Sequence, residues 1–193
     1  MKAFIFGLLA ALGALIAELT ISDLYFILLG KDLETNYFNQ ITLFLVAVVL
    51  IEEFFKYIML IKLYASQKNQ TTNISIALLA GLGFACTELA FTGLNFFFNP
   101  ETVNFNWSVA GVFILHLATT GIIGSLIIFR KKTGLFSAAK IITVTACLHL
   151  AYNLMIIYSL NFWLVFLYLV IMFGTVFKFS RQTTAKMPNS GIS

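Results

Sequence analysis

Residues 107–129 read WSVAGVFILHLATTGIIGSLIIF, an apolar stretch in which His116 is the single ionisable side chain. A helix of ~20 apolar residues spans the hydrocarbon core of a bilayer, so this stretch predicts a transmembrane helix. Five similar stretches flank it, at residues 3–29, 38–61, 73–98, 135–158 and 160–179. The sequence therefore predicts an all-α, polytopic membrane protein, with about six transmembrane helices in one bundle formed by residues 1–180.

The composition supports the same class of protein. Hydrophobic residues make up 60% of the 193-residue chain and charged residues only 10%, against ~25% charged residues in an average soluble domain. The chain has 21 phenylalanines and only two prolines, which excludes a disordered or collagen-like protein. With so few charges to solvate a surface, it also excludes a nucleic-acid binder.

The distribution of lysine and arginine predicts the orientation, because short cytoplasmic loops keep an excess of these residues. Lys31 falls on one side if the six spans alternate. The opposite side receives Lys2, Lys62, Lys68, Arg130, Lys131, Lys132, Lys178, Arg181 and Lys186. We therefore expect a protein of the cytoplasmic membrane with both termini in the cytoplasm. Residues 181–193 are expected to form a disordered cytoplasmic tail.

The first span, residues 3–29, admits more than one interpretation. Lys2 followed by an apolar run is also typical of a secretory signal peptide. Apolar side chains continue past Glu18 and Asp23, however. This continuation favours one long tilted helix, or a helix broken near Ser22.

Ionisable side chains lie deep within four of the predicted spans, at a cost of ~2.5–3.5 kcal/mol each on insertion scales. Counted from the cytoplasmic end of its span at ~1.5 Å per residue, Glu52 lies ~15 Å deep and Glu88 ~22 Å. His116 and His149 lie ~21 Å and ~22 Å deep by the same count. In a core ~30 Å thick, all four are at or beyond the midplane. This shared depth predicts one intramembrane site.

Spacing groups the polar residues on helix faces, because positions four apart point the same way. Glu52 and Glu53 are adjacent and point ~100° apart, so one is expected to act on water while the other orients the site. Either carboxylate can reach the ammonium group of Lys56, which offsets the cost of burying them. The pairs with this spacing are Glu52 and Lys56, Phe84 and Glu88, His116 and Thr120, and His149 and Asn153.

In this order along the chain, these motifs resemble the PrsW family of intramembrane proteases, which is distantly similar to the CAAX prenyl protease and bacteriocin-processing superfamily. The resemblance covers four spans, roughly residues 45–155. It implies a glutamic-type membrane endopeptidase whose site is buried between helices. The chain departs from the CAAX-type pattern, because Glu88 stands where that pattern has the histidine of Phe-x-x-x-His. The histidine partner for water would then have to be His116.

Carried over by position, the resemblance implies that Glu52 or Glu53 activates water and that Glu88 or His116 shares the proton transfer. A His-x-x-x-Asn pair faces the oxyanion in such relatives. The predicted catalytic residues are therefore Glu52, Glu53, Glu88, His116, His149 and Asn153, supported by Lys56, Phe84 and Thr120. These residue types supply the base, the acid and the oxyanion donors that peptide hydrolysis needs.

A metal site is the alternative to this metal-free mechanism, because two histidines with carboxylates form a zinc or iron ligand set. The ligands would be drawn from Glu53, Glu88, His116 and His149. Lys56 beside the glutamates would compete with a divalent ion, and the chain has no His-Glu-x-x-His motif. We therefore predict no cofactor, with a divalent metal such as zinc as the alternative.

Two other functions remain open. A non-catalytic membrane scaffold, or a partner subunit of the same fold, would not need the carboxylates. A proton-coupled carrier would show interrupted helices and inverted halves, which the sequence does not indicate. Glu18 has a similar depth but no motif around it, and we interpret it as a helix-end contact or a contact between helices. The expected partners are the lipid bilayer and a membrane protein or peptide substrate, with no nucleic acid.

Overall fold

A computed structural model describes residues 1–29, 43–66, 73–98, 107–130 and 134–185. This part of the chain contains six helices and no strand. They are α1 (Lys2–Leu29), α2 (Leu43–Ala65), α3 (Ile74–Phe98), α4 (Trp107–Arg130), α5 (Leu135–Ile157) and α6 (Phe162–Ala185). The predicted all-α fold is confirmed. Helices are expected here, because backbone groups in lipid must find their hydrogen bonds within the chain.

Five of these helices, all but α2, are long and apolar enough to cross a membrane. The exception, α2, carries Glu52, Glu53, Lys56 and Lys62 within its 23 residues. Glu53 and Lys56 are fully buried inside the bundle. These two charged side chains of α2 thus face neighbouring helices, as expected of a membrane bundle with a polar centre.

The helix limits differ from the predicted spans mainly at α2 and α6. The predicted start of the second span, residue 38, lies outside the described residues, and α2 continues past residue 61 to Ala65. Helix α6 continues to Ala185, because hydropathy marks where apolar side chains end and polar residues can prolong a helix beyond that point. The predicted disordered tail, residues 181–193, is therefore wrong for residues 181–185, which are helical. Residues 186–193 are not described, so for them the disordered cytoplasmic tail stays a prediction.

Helix α1 runs without a break from Lys2 to Leu29. The interpretation as one long helix is therefore confirmed, and a break near Ser22 is not observed. The helix packs against α2 and α3 as part of the bundle.

A tight turn joins α5 to α6, as the short polar break predicted. The Tyr158 amide donates to the Leu154 carbonyl oxygen at 2.9 Å, and Ser159 follows with a φ of 49°. The Asn161 side chain then accepts a hydrogen bond from the Trp163 amide at 2.9 Å. This bond caps the first turn of α6, where amides lack helical partners.

Glycines bring α1 and α3 into backbone contact. A Cβ added to Gly7 would overlap the Ala80 carbonyl group, and a Cβ added to Gly83 would overlap the Phe4 carbonyl oxygen. Small residues allow such close approach between membrane helices, where the hydrophobic effect does not drive packing.

The contacts also give the helix directions. Gly81 of α3 faces Thr120 of α4, whereas Ala77 faces Gly124, so these two helices run in opposite directions. Helix α2 runs in the same direction as α4, because Tyr64 lies at Gly124 and Lys56 lies farther back along α4, at Thr119. Successive helices of this central group therefore alternate, which is the arrangement that aligns the predicted polar residues.

Replacing Gly83 by alanine should weaken the contact between α1 and α3. The added methyl group would meet backbone atoms of Phe4 and Leu8, which cannot rotate away. Overpacking of this kind costs ~1–3 kcal/mol. Thermal unfolding in detergent should show a lower melting temperature than the wild type.

Gly93→Ala is the matched control on the same helix, because no atom lies within 4 Å of a Cβ built there. Its melting temperature should match or exceed that of the wild type, since alanine is the better helix former. Equal melting temperatures for Gly83→Ala and Gly93→Ala would contradict the close contact.

Candidate active site

Helix α2 contributes an ion pair to the centre of the bundle. The Lys56 Nζ atom donates to Glu53 Oε1 at 2.6 Å and lies 3.8 Å from Glu52 Oε2. Glu53 and Lys56 are fully buried, whereas the Glu52 side chain is 12% exposed. The two adjacent glutamates thus differ: Glu53 holds the ammonium group closely, and Glu52 remains available to other groups.

His149 on α5 meets both glutamates. Its Nδ1 atom lies 2.9 Å from Glu53 Oε1, within hydrogen-bonding distance, and 3.7 Å from Glu52 Oε2. Glu53 Oε1 is therefore shared between Lys56 and His149. This shared oxygen fixes the position of the imidazole ring relative to α2.

His116 on α4 completes the cluster together with Glu88 of α3. The Nε2 atom of His116 contacts the Glu88 carboxylate, and its Nδ1 atom lies 3.9 Å from Glu52 Oε2. The ring centroids of His116 and His149 are 5.2 Å apart, with the ring planes at 83°. Four helices thus bring their ionisable side chains together, as their shared depth predicted.

An aromatic ring and a hydroxyl group surround the buried ammonium. Lys56 Nζ lies 4.6 Å from the centroid of the Phe84 ring, a distance at which a cation is attracted to the ring face. It also lies 3.4 Å from Thr119 Oγ1. Phe84 packs in turn on His116, at 5.0 Å between ring centroids. The Phe84 ring therefore contacts both Lys56 and His116.

Thr119 is a site residue that the sequence pattern did not indicate. The pattern favours its neighbour Thr120, which lies four residues after His116. Thr120 is buried against Gly81, and its hydroxyl group has no hydrogen-bond partner among the described residues. The sequence does offer one indication of Thr119. A buried ammonium group needs several hydrogen-bond acceptors, and hydroxyl groups on the facing helix can supply them.

Asn153 is the predicted catalytic residue with the weakest link to the cluster. It is half-buried on α5, and within the described part of the chain no hydrogen bond or ion pair joins it to the other site residues. Its role at the oxyanion stays a prediction. The remaining five predicted catalytic residues, Glu52, Glu53, Glu88, His116 and His149, contact one another directly or through a common neighbour.

The three carboxylates differ in accessibility. The Glu53 side chain is fully buried, that of Glu52 is 12% exposed and that of Glu88 is 35% exposed. Glu88 is thus the carboxylate of this cluster that an incoming molecule reaches first. Glu53 is enclosed by Lys56 and His149.

The residues fit a divalent metal ion. One ligand atom each from Glu52, His116 and His149 lies within 4.8 Å of the other two. Glu52 Oε2 and His116 Nδ1 are buried and have no hydrogen-bond partner in the described residues. Tetrahedral zinc keeps its ligand atoms about 3.3–3.5 Å apart, so the 3.9 Å between Glu52 Oε2 and His116 Nδ1 needs only a small closure. His149 would bind through Nε2, because its Nδ1 atom is hydrogen-bonded to Glu53 Oε1.

This ligand set differs from the one predicted from the sequence. Glu52 takes the position expected for Glu53 and Glu88, because Glu53 binds Lys56 and His149 while Glu88 contacts His116. Carboxylates in such contact with ligand histidines commonly fix the ring orientation. Lys56 was expected to compete for the glutamates, and its Nζ atom lies 3.8 Å from Glu52 Oε2, although its closer partner is Glu53 Oε1 at 2.6 Å.

Replacing Lys56 by methionine should strongly destabilise the bundle. The change leaves the Glu53 carboxylate buried without its counter-ion, and breaking a buried pair from one side costs about 3–5 kcal/mol. The double variant Glu53→Gln with Lys56→Met should recover much of this loss, because neither charge remains. The free energy of unfolding in mixed micelles measures both effects.

Lys62→Met is the control for this pair, because Lys62 lies on the same helix and is exposed. It should unfold within about 0.5 kcal/mol of the wild type. Equal stabilities for Lys56→Met and Lys62→Met would show that the buried pair does not hold α2 in place.

Comparison with known proteins gives a family match over nearly the whole chain. No curated protein and no solved structure matches, but residues 1–178 match the family described as PrsW family intramembrane metalloprotease. The match confirms the resemblance found in residues 45–155 and extends it to α1 and α6. The description names a metalloprotease, whereas the sequence analysis favoured a mechanism without metal. The chain therefore belongs to the PrsW family of intramembrane proteases.

Proposed function

We propose that the cluster hydrolyses a peptide bond in a membrane-associated protein, with a divalent metal ion held by Glu52, His116 and His149. The observation that carries this proposal is the convergence of three ligand atoms within 4.8 Å. Two of the atoms at this point, Glu52 Oε2 and His116 Nδ1, are buried without partners among the described residues. A divalent ion bound there would act as a Lewis acid on the carbonyl oxygen of the peptide bond.

Glu88 is the carboxylate that we assign to proton transfer. Its side chain is the most exposed of the three and contacts His116 Nε2. A carboxylate in this position accepts a proton from the attacking water and returns it to the leaving amine. No covalent intermediate is needed, which agrees with the absence of a suitably placed serine or cysteine in the sequence.

Glu53 and Lys56 are positioning residues in this proposal. Glu53 Oε1 lies 2.6 Å from Lys56 Nζ and 2.9 Å from His149 Nδ1. The glutamate thus orients His149, and the ammonium group balances the charge of the glutamate. Asn153, one turn after His149, remains our candidate for a donor to the oxyanion.

The substrate class follows from the position of the cluster within the membrane. A peptide that reaches Glu88 must enter the bundle from the bilayer or from its surface, so we propose a single-span membrane protein or a membrane-associated peptide. We also propose that both termini are cytoplasmic. Lys2, Lys62 and Lys178 support this orientation, because they lie at helix ends that meet near one face of the bundle.

Glu88→Gln should reduce kcat for cleavage of a single-span reporter substrate by ~10²–10⁴-fold, the usual contribution of a general base. The amide keeps the shape of the side chain but accepts no proton. Cleavage is measured with purified enzyme and substrate in proteoliposomes. Asp23→Asn is the matched control, because it makes the same chemical change at an exposed position on α1.

Two results would contradict this assignment. Full cleavage by Glu88→Gln would exclude Glu88 as the base. No cleavage by the wild type, together with full cellular function of Glu88→Gln, would favour the non-catalytic scaffold instead.

Metal content tests the ligand set without depending on activity. The purified wild type should retain a stoichiometric amount of a divalent ion, measured by mass spectrometry of the metals. Glu52→Gln and His149→Ala should each bind the ion at least about tenfold more weakly. Glu88→Gln should lose cleavage even when it is saturated with the ion, because glutamine still accepts a hydrogen bond from His116 Nε2 but takes up no proton. This result would separate the ligand role from the proton role.

Thr145→Ala is the folding control for His149→Ala, because the Thr145 hydroxyl bonds only to its own helix within the described residues. Equal metal binding by Glu52→Gln and the wild type would show that the ligand set is wrong. Cleavage by the wild type without any divalent ion would instead support the metal-free mechanism, in which glutamate and histidine alone activate water.

A further inference from the structure

The ammonium group of Lys56 lies between two glutamates, of which the proposed function reserves one for a metal ion. Its Nζ atom donates to Glu53 Oε1 at 2.6 Å and lies 3.8 Å from Glu52 Oε2. Glu52 Oε2 is buried and has no hydrogen-bond partner among the described residues. A movement of about 1 Å would bring the ammonium group into hydrogen-bonding distance of Glu52. The proposed ligand therefore depends on what holds Lys56 away from it.

The hydroxyl group of Thr119 on α4 offers the ammonium group an acceptor that is not a carboxylate. Lys56 Nζ donates to Thr119 Oγ1 at 3.4 Å. An ammonium group has three N–H donors, and Glu53 and Thr119 accept from two of them. The Phe84 ring, with its centroid 4.6 Å from Nζ, provides a third attractive contact. The surroundings of Lys56 thus satisfy it without a hydrogen bond to Glu52.

A backbone contact fixes Thr119 as an acceptor. Its hydroxyl group donates to the carbonyl oxygen of His116, one turn earlier on α4, at 3.4 Å. A hydroxyl group has a single proton to donate, so its lone pairs are left for an incoming N–H group. The Thr119 side chain is fully buried, and bulk water does not compete for these lone pairs. Thr119 therefore links Lys56 of α2 to the turn of α4 that carries His116.

Loss of this hydroxyl group would leave Lys56 with one acceptor fewer. A buried donor without a partner costs ~1–3 kcal/mol, and more when it is charged. The Glu52 carboxylate, 3.8 Å away, is a charged acceptor that can relieve this cost. An ammonium group that moves to Glu52 neutralises the carboxylate and occupies the oxygen that a divalent ion would need.

We propose that Thr119 is a positioning residue of the metal site: its hydroxyl group holds the ammonium group of Lys56 beside Glu53 and so leaves Glu52 free to bind the divalent ion. This inference rests on the proposed function. It also explains how a lysine and a metal ion can share one cluster of glutamates. Thr119 touches neither the ion nor the substrate and acts through Lys56.

Zinc titration of the purified, metal-free protein in micelles tests this role. Thr119→Val removes the hydroxyl group at nearly constant volume and should weaken zinc binding by about tenfold, the lower end of the range for groups that act through a ligand. Thr119→Ser keeps the hydroxyl group and should bind within about threefold of the wild type. When Glu52 is already replaced by glutamine, Thr119→Val should cause no further loss, because the ligand that it protects is gone.

Thr145→Val is the matched control, because it makes the same change at a fully buried threonine whose hydroxyl group bonds only to its own helix within the described residues. It should bind zinc as the wild type does. Equal weakening by Thr119→Val and Thr145→Val would overturn the inference, as would Thr119→Ser binding as weakly as Thr119→Val. If Thr119→Val does not fold, Thr119→Ala removes the same hydroxyl group with less bulk and carries the same expectations.

Unfolding of the metal-free protein separates this inference from the proposed function. Glu52→Gln should raise the unfolding equilibrium constant about tenfold more in the Thr119→Val background than in the wild type, because Lys56 then depends on Glu52. If this coupling appears while no variant binds zinc, the metal site of the proposed function fails and the positioning of Lys56 by Thr119 stands. If the wild type binds zinc but Glu52→Gln has the same effect in both backgrounds, only the inference fails.

Discussion

The buried ammonium group of Lys56 is the constraint on which the arrangement of the polar centre depends. A charge so far from water must be matched by an opposite charge and by acceptors, and Glu53, Thr119 and the Phe84 ring meet this need from three helices. Glu53 then uses the same oxygen to hold His149. One ion pair thus fixes the relation of α2 to α3, α4 and α5. Glu52 lies farther from the ammonium group, at 3.8 Å.

The sequence predicted the fold and the existence of the cluster well, for simple physical reasons. Apolar length specifies a membrane helix because backbone groups in lipid have no other partners. The constant rise of a helix then converts residue numbers into depths. Glu52, Glu88, His116 and His149 came from four different spans, yet similar depth was enough to predict that they meet. The order of the motifs along the chain was enough to predict the family.

Details within the cluster could not be predicted, because they depend on the rotation of each helix about its own axis. Neighbouring residues on a helix differ by about 100° in direction, so a rotation of that size exchanges Thr120 for Thr119 or Glu53 for Glu52. That rotation is set by where backbones approach, at Gly81 and Gly83 for α3. Hydropathy is insensitive to such contacts. For the same reason, the spacing of His149 and Asn153 indicated their common face but not a contact between Asn153 and the cluster.

The interlocked backbones at Gly7 and Gly83 have a mechanical consequence for how a peptide gains access. At this crossing no side chain lies between α1 and α3 that could rotate to open a gap, so the crossing is closed to a peptide. Helices that separate to admit a peptide then do so where side chains fill the space between them. Phe55, between α1 and α2, is one such side chain.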